Sequence, residues 1–157
     1  MIYEEKVGDL FQDNTADIFA HCISSDFALG AGIAKRFRDE YNTKNALFAN
    51  YKANVWSGRG CCYITVSPAD ANHSKKVVAN LVTKKRAWDK PTYETLRQSL
   101  ELLRRHCENS YTNACIAMPL IGCGLDGLSW DNVSEIVKSV FANTDVHIIV
   151  YRLPRNK

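Results

Sequence analysis

A loop that holds three glycines and one aspartate, residues 121–128, most constrains how this 157-residue chain can fold. Its sequence is IGCGLDGL, and it lies between an apolar stretch typical of a strand and a stretch typical of a helix. Where a strand leads into a helix, glycines permit a tight turn and expose backbone N–H groups, which bind anions and above all phosphates. Because a phosphate would repel Asp126, this carboxylate either belongs to the turn or performs chemistry beside the anion.

A second glycine turn, with the sequence LGAGIA over residues 29–34, precedes another stretch typical of a helix. The apolar residues before it predict a buried strand, so both turns would lie at the carboxyl ends of strands, where open α/β sheets bind ligands. The turn lacks the third glycine of G-x-G-x-x-G, and no GK[ST] follows it as in a P-loop. The two turns could instead hold one diphosphate between them.

Strand and helix signals alternate along the chain, which predicts an α/β protein, a three-layer α/β/α domain with a central mixed sheet. Strands are predicted over residues 2–7, 17–24, 61–67, 77–82, 113–118 and 146–151. Helices are predicted over residues 32–41, 44–51 and 92–108, with Thr92 as a cap, and a fourth begins at a Ser129 cap and runs through Ala142. A polar loop over residues 68–74 separates two strands, and neither a repeat nor a linker divides the single predicted domain, residues 1–157.

Composition and charge are those of a globular protein and exclude several classes of function. Hydrophobic residues make up 46% of the chain and charged residues 24%, and a net charge of +3 is too small to indicate nucleic-acid binding by electrostatics alone. No apolar run reaches roughly eighteen residues, and the early acidic residues Glu4, Glu5 and Asp9 are unlike a signal peptide. We therefore expect an intracellular monomer, in the cytoplasm, the nucleus or both, without membrane attachment.

The six cysteines and four histidines show no spacing typical of a metal site. Four cysteines stand singly in apolar surroundings and are interpreted as reduced core thiols, and the adjacent Cys61 and Cys62 are too close for C-x-x-C chelation. We expect no metal and no other cofactor. A nucleophilic pair of Cys123 with His21 is a less favoured alternative to a buried thiol and a structural histidine.

Lys84 lies at the end of a predicted strand, in the sequence LVTKKR. A free lysine is protonated at neutral pH and is not nucleophilic, but neighbouring cations and partial burial disfavour the ammonium form. Such a lysine can attack a sugar anomeric carbon or a carbonyl. If the strand continues, Lys84 and Arg86 share one face and Lys85 points to the other. The basic run is equally typical of a solvated strand end, and Lys84 could also bind a phosphate.

The chain resembles macro domains, specifically the branch of terminal ADP-ribose protein glycohydrolases and O-acyl-ADP-ribose deacylases. The resemblance rests on blocks in order along nearly the whole chain: GDLF at 8–11, AHCIS at 20–24, GAGIA at 30–34, TKKRA at 83–87, KPTYE at 90–94, MPLIGCGLD at 118–126, WDNVS at 130–134 and VYRL at 150–153. It implies a macro fold with a mixed sheet and a pocket for ADP-ribose, which is the ligand and product rather than a cofactor. Residues 67–74 are an addition to the family pattern.

The resemblance also implies two catalytic residues. Lys84 corresponds to the lysine that attacks the anomeric carbon of the distal ribose and expels a Glu or Asp carboxylate. Asp126 corresponds to the aspartate that serves in acid–base resolution of the covalent lysyl adduct. This role would explain a carboxylate beside a phosphate-binding loop.

The same resemblance implies a set of substrate-binding residues. Asp9 would accept from the adenine amino group, and Leu10, Tyr151 and Leu153 would border the base. The distal ribose and diphosphate would be lined by Ser24, Gly30, Ala31, Gly32, Ile33, Thr83, Pro119, Leu120, Ile121, Gly122, Cys123, Gly124 and Leu125. The implied partners are ADP-ribose and ADP-ribosylated proteins.

Three functions remain open at this point. The first is a hydrolase for Glu- or Asp-linked ADP-ribose and for O-acyl-ADP-ribose. The second is a module that binds ADP-ribose without turnover, and the third is a phosphatase for ADP-ribose-1''-phosphate. The presence of both Lys84 and Asp126 favours the hydrolase over the binding module, whereas the sequence separates the phosphatase poorly from the hydrolase.

Overall fold

The computed structural model describes residues 1–56, 60–66 and 76–154, and the predicted loop and family addition within residues 67–74 lie outside this part. The strands are β1 (Ile2–Val7), β2 (Ile18–Ser24), β3 (Cys61–Val66), β4 (Lys76–Lys84), β5 (Cys115–Met118) and β6 (His147–Arg152). The helices are α1 (Gly32–Tyr41), α2 (Thr43–Asn50), α3 (Tyr93–Ser110) and α4 (Trp130–Phe141), with short 3-10 turns at Leu10–Gln12 and Gly124–Asp126. Every predicted strand and helix is therefore confirmed, with bounds that differ by at most two residues.

The described strands form one sheet in the order β1-β6-β5-β2-β4-β3. All neighbouring pairs are parallel except the edge strand β3, which runs antiparallel to β4. The predicted mixed sheet is confirmed. Because the five parallel strands point the same way, their carboxyl ends meet at one edge of the sheet, where open α/β sheets bind ligands.

The sheet is buried on both faces, so its central strands are almost continuously apolar. Along β2, Ile18 and Ala20 pack into a core under α3 and α4, while Phe19 and Ile23 pack into a second core under α1 and α2. This alternation follows from the two-residue period of a strand. The predicted three-layer α/β/α arrangement is therefore confirmed.

The starts of the two long helices differ in how they are capped. Thr92 Oγ1 accepts from the Thr95 N–H at 3.0 Å and Thr95 Oγ1 accepts from the Thr92 N–H at 3.0 Å, which forms a capping box at α3. Ser129 lies at the N-cap position of α4, but its side chain makes no capping hydrogen bond, so that predicted role is wrong. The Tyr93 hydroxyl instead binds the start of α4, where it accepts from the Ser129 N–H at 3.1 Å and from Asn132 Nδ2 at 3.2 Å.

None of the helices in the described residues is long and apolar enough to cross a membrane.

Candidate active site

A cavity of about 700 Å³ lies at the carboxyl edge of the sheet. Its walls come from the segments that follow β1, β2, β4, β5 and β6, together with the first turns of α1. Segments distant in sequence meet here because the carboxyl ends of the parallel strands lie at the same edge of the sheet. The cavity is therefore built at the position predicted from the two glycine turns.

Most residues of the predicted site line this cavity, although their roles stay predictions. The predicted residues in its wall are Asp9, Leu10, Ala31, Gly32, Ile33, Lys84, Pro119, Leu120, Ile121, Gly122, Cys123, Gly124, Leu125, Asp126, Tyr151 and Leu153.

Three predicted site residues do not line the cavity. Ser24 is 5% exposed, and its Oγ donates to Asp26 Oδ1 at 2.6 Å, so this hydroxyl is already engaged. Thr83 is 1% exposed, because the strand alternation that turns Lys84 toward the cavity turns Thr83 away from it. Gly30 is exposed ahead of Ala31, where the cavity wall begins.

Lys84 and Asp126 form an ion pair in the cavity wall. Lys84 is the last residue of β4 and Asp126 ends the Gly124–Asp126 turn, and their Nζ and Oδ1 atoms lie 2.7 Å apart. Their side chains are only 14% and 17% exposed, so solvent screens the pair weakly. The partner of the lysine is therefore a carboxylate, which can exchange a proton with it directly.

The predicted arrangement of the two cations that follow Lys84 in sequence is wrong. Strand β4 ends at Lys84, so the predicted face shared with Arg86 is not formed. The chain bends, Lys85 and Arg86 become exposed, and Arg86 Cζ lies 5.6 Å from the centre of the Trp88 ring. The side chain placed against Lys84 is that of Asp126.

The loop after β5 turns at a glycine whose backbone conformation and close neighbour both disfavour a side chain. Gly122 has φ +72°, and a Cβ atom there would lie 2.9 Å from Leu128 Cδ1. The Leu128 N–H donates to the Gly122 carbonyl at 2.9 Å, which closes the loop. Lys90 Nζ donates to the Leu125 carbonyl at 2.5 Å and ties the loop to the segment after β4. Asp126 is held against Lys84 by this closed loop.

The first turn of α1 faces the cavity with its backbone N–H groups uncapped by a side chain. The N-cap residue is Ala31, whose side chain cannot accept a hydrogen bond, and Gly32 follows with φ +58°. The first N–H groups of an α-helix have no partner within the helix and carry its positive dipole end. Since Ala31, Gly32 and Ile33 all line the cavity, this helix end suits an anion.

At the other end of the cavity, Arg36 holds the Asp9 carboxylate. Arg36 Nη1 donates to Oδ1 at 3.0 Å and Nη2 donates to Oδ2 at 3.1 Å, and the Phe11 N–H also donates to Oδ1 at 3.1 Å. The hydrogen bond from Arg36 is the main reason that the pKa of Asp9 is lowered. Arg36 Cζ also lies 4.2 Å from the centre of the Phe11 ring. Asp9 is thus fixed as a charged acceptor.

Tyr151 is fixed by a buried carboxylate. Its hydroxyl donates to Asp13 Oδ2, and Asp13 is 7% exposed and also accepts from the N–H groups of Thr15 and Ala16 at 2.8 Å each. Burial and the hydrogen bond to Asp13 raise the pKa of Tyr151, so its ring stays neutral. The aromatic ring in the cavity wall is therefore held in one orientation.

The cavity thiols are poorly suited to nucleophilic attack. Cys22 and Cys123 both line the cavity, and burial raises the pKa of Cys22 to about 12 and raises that of Cys123 as well. His21 is buried on the opposite face of β2, where it stacks on Phe37 at 4.1 Å and pairs through Nε2 with Asn80 Oδ1 at 2.7 Å. The alternative Cys123–His21 pair is therefore not formed, and His21 is structural.

All six cysteines are free thiols. Within the part of the chain that the structure describes, no group of three or more His, Cys, Asp or Glu residues is arranged to hold a metal ion.

Some residues of the cavity wall were not predicted as site residues. These are Gly8, Cys22, Arg36, Ala87, Lys90 and Arg152. Arg36 could have been predicted as a site residue from the sequence, because it lies four positions after Gly32 and residues at this spacing share a helix face. Gly8 lies in the GDLF block next to Asp9. Lys90 reaches the cavity only because of the bend after β4, which no local pattern predicts.

Comparisons with known proteins agree with this architecture. The model of the Macro domain family matches residues 20–137. The ADP-ribose glycohydrolase OARD1 of Bos taurus is 44% identical over 147 residues, which cover 93% of this chain and 88% of that protein. The Homo sapiens protein of the same name is 43% identical over the same shares.

Solved structures show the same fold at lower identity. The macrodomain of Mycobacterium tuberculosis DarG superposes with a TM-score of 0.74 at 23% identity, covering 98% of this chain and 99% of that one. A Thermosipho africanus DarTG structure in complex with ADP-ribose gives a TM-score of 0.76 at 18% identity, covering 99% of this chain and 42% of that one. At these identities the similarity concerns the fold.

Proposed function

This chain belongs to the macro domain family, and we propose that it is an ADP-ribose glycohydrolase that releases ADP-ribose from carboxylate esters. The substrates we propose are proteins with ADP-ribose on Glu or Asp, and O-acyl-ADP-ribose. Two relatives that match most of the chain are named ADP-ribose glycohydrolases, and a protein of the same fold was solved with ADP-ribose. These similarities support ADP-ribose as the ligand of the cavity.

The proposed binding mode places the adenine at the Asp9 end and the distal ribose at the Lys84 end. Asp9, fixed as a charged acceptor by Arg36, would accept from the adenine amino group, and Tyr151 would border the base. The diphosphate would lie between the first turn of α1 and the glycine loop after β5, where backbone N–H groups suit an anion. This order leaves the anomeric carbon of the distal ribose beside Lys84 and Asp126.

The observation that carries the proposal of hydrolysis is the 2.7 Å contact between Lys84 Nζ and Asp126 Oδ1. A module that only binds ADP-ribose needs phosphate donors and an adenine acceptor, but it has no use for a partly buried cation paired with a carboxylate near the phosphates. Nucleophilic catalysis by a lysine uses an amine that attacks and a nearby group that takes its proton and later returns it. The pair supplies both functions, and the chemistry needs only these side chains and water.

In the first step we propose, Asp126 takes a proton from the Lys84 ammonium. The resulting amine attacks the anomeric carbon of the distal ribose, and a nitrogen–carbon bond forms as the bond to the ester oxygen breaks. The acceptor carboxylate leaves with that electron pair, and Asp126 passes its proton to it. The products are the free acceptor and a cationic lysyl–ribose adduct, beside an Asp126 carboxylate. A carboxylate ester is a favourable substrate because its leaving group is stable.

In the second step, water resolves the adduct. The Asp126 carboxylate takes a proton from the water while its oxygen attacks the anomeric carbon. The nitrogen–carbon bond breaks, and its electrons return to the Lys84 amine. Asp126 then returns the proton to Lys84, which restores the ion pair and leaves free ADP-ribose in the cavity.

Release of ADP-ribose from a protein mono-ADP-ribosylated on glutamate tests this function. We expect the wild-type chain to release free ADP-ribose and to hydrolyse O-acetyl-ADP-ribose, and we expect Lys84→Ala to release neither product. The matched control is Lys138→Ala, which removes a surface lysine of α4 that is not part of the cavity wall. Tight binding of ADP-ribose by the wild-type chain without any release would instead identify a binding module.

A further inference from the structure

An exposed segment of six residues, 85–90, borders the cavity at its catalytic end, and we call it the acceptor rim. It follows directly on Lys84, the last residue of β4. Ala87 and Lys90 lie in the cavity wall, and Lys90 Nζ donates to the carbonyl of Leu125, the residue before Asp126. The rim therefore starts at one member of the catalytic pair and contacts the loop that carries the other.

The backbone of the acceptor rim is held in place by hydrogen bonds. The Ala87 N–H donates to Asp26 Oδ2 at 3.0 Å, and the Arg86 N–H donates to Asp89 Oδ2 at 3.0 Å. The Asp89 N–H donates back to the Arg86 carbonyl at 3.0 Å. A segment fixed in this way presents its side chains in a set arrangement, which lowers the entropy lost when a partner binds.

This fixed backbone leaves its largest side chain in solvent. Trp88 is 73% exposed, more than any other large hydrophobic side chain of the described residues. The Leu125 side chain, from the loop that Lys90 contacts, is 68% exposed. Single exposed apolar side chains are common, but tryptophan and arginine on an ordered surface beside a cavity are typical of residues that anchor a bound partner.

The acceptor rim has three cations and one carboxylate, and its net charge is positive. Lys85 and Arg86 are exposed, and within the described residues neither forms a salt bridge. The two nearby carboxylates, Asp26 and Asp89, accept from backbone N–H groups of the rim itself. The electrostatic complement of this surface is a segment with carboxylates.

We propose that the acceptor rim binds the polypeptide around the modified carboxylate and that it favours an acidic peptide. The inference rests on the proposed function, in which the acceptor is attached to the anomeric carbon beside Lys84 and leaves the cavity at that end. Carboxylates that flank the modified residue would meet Lys85 and Arg86, and the peptide backbone would lie against the Trp88 ring. The rim thus determines which acceptors are processed, while the cavity binds the ADP-ribose that all of them share.

A peptide fits this surface better than a nucleic-acid strand does. A nucleic-acid strand needs a row of cations along its phosphates, whereas the net charge of the whole chain is only +3. Two exposed cations beside one aromatic ring cover a surface about as long as a few peptide residues.

Steady-state hydrolysis of three substrates tests the acceptor rim. The substrates are a glutamate-ADP-ribosylated peptide with Asp and Glu flanks, the same peptide with Asn and Gln flanks, and O-acetyl-ADP-ribose. We expect the wild-type chain to show a kcat/KM about fivefold higher for the acidic than for the neutral peptide, as two screened ion pairs would give. We expect Lys85→Ala/Arg86→Ala to lose this preference, and Trp88→Ala to raise KM for both peptides. Both variants should hydrolyse O-acetyl-ADP-ribose at the wild-type rate.

Matched controls are Arg105→Ala, an exposed cation of α3, and Phe48→Ala, an exposed aromatic residue of α2, and both should leave all three rates unchanged. Unchanged peptide kinetics in the rim variants would overturn the proposal. So would stronger inhibition of peptide hydrolysis by single-stranded oligonucleotide than by unmodified acidic peptide, since that result assigns the rim to nucleic acid. A wild-type chain that releases no ADP-ribose from any of the three substrates would instead refute the proposed function itself.

Discussion

Arg36 donates to both carboxylate oxygens of Asp9, at 3.0 Å and 3.1 Å, although 27 positions separate the two residues. With the Phe11 N–H on Oδ1, three of the roughly four acceptor positions of this carboxylate are occupied. The position that remains is on Oδ2. In the proposed binding mode it accepts the adenine amino group, so Arg36 fixes the direction from which the base is held.

We predict that Arg36→Ala raises the Kd for ADP-ribose by about tenfold, because Asp9 then loses its fixed orientation. Arg36→Lys should give a smaller rise, since lysine keeps the charge but cannot donate to both oxygens as a planar fork. Isothermal titration with ADP-ribose measures both. The control is Arg38→Ala, which removes a surface ion pair with Asp39 on the same helix. Tighter binding by Arg36→Ala would show that Arg36 obstructs Asp9 rather than positioning it.

A series of three glycine replacements separates backbone strain from steric clash in the two glycine turns. Gly30→Ala should leave the free energy of unfolding unchanged, because its Cβ meets nothing within 4 Å and its φ is not positive. Gly124→Ala should lower it by about 1–2 kcal/mol, through its φ of +72° alone. Gly122→Ala should lower it further, by about 1 kcal/mol more, because its Cβ would also lie 2.9 Å from Leu128 Cδ1. Urea denaturation gives all three values, and equal losses at the two loop positions would contradict the steric account.

The buried His21 should make the fold less stable in acid. Burial lowers its pKa from 6.5 to about 4, so between these values the unfolded chain binds a proton that the folded chain does not. This contribution to stability is complete above pH 6.5 and is lost as the pH falls toward 4, by about 3 kcal/mol in total.

Denaturant unfolding at pH 7, 5.5 and 4 measures this loss as the difference between the wild type and His21→Gln. Other acid-sensitive groups are common to both proteins and cancel in the difference. His106→Gln is the control, because His106 is less buried and should change the pH dependence only slightly. Parallel pH profiles for the wild type and His21→Gln would mean that His21 already titrates normally in the folded chain.

Local patterns predicted most of the architecture because each element carries its own signal. The stripe of apolar residues in α3 and the buried residues of β2 depend only on the period of a helix or a strand. The position of the cavity followed in the same way, since glycine turns after parallel strands must gather at one edge of the sheet. The fold class followed from these patterns alone, whereas the placement of Lys84 and Asp126 in one site came from the resemblance to macro domains.

The parts that were missed depend on hydrogen bonds that residue type and spacing do not reveal. Ser129 is a residue type that often caps helices, but at the start of α4 its N–H donates to the Tyr93 hydroxyl and its side chain makes no capping hydrogen bond. Arg86 does not continue the face of Lys84, because the chain bends where Asp26 and Asp89 accept from its backbone. Ser24 is occupied by Asp26. In each case a tertiary or turn hydrogen bond overrides the local pattern.

The central claim, that Lys84 is a nucleophile and Asp126 resolves its adduct, is tested most directly on the intact mass of Asp126→Ala. The variant is incubated with protein that is mono-ADP-ribosylated on glutamate, and Asp126→Ala/Lys84→Ala serves as the control. Without Asp126 the Lys84 ammonium can lose its proton only to water, so the first step becomes slow, but the second step is slowed further because nothing activates the water that resolves the adduct. We therefore predict a gain in mass of one ADP-ribosyl group on Asp126→Ala, located at Lys84 by peptide mapping, and no gain on the double variant. An Asp126→Ala chain that releases free ADP-ribose at the wild-type rate, or that stays unmodified while it binds the substrate, would contradict the covalent account.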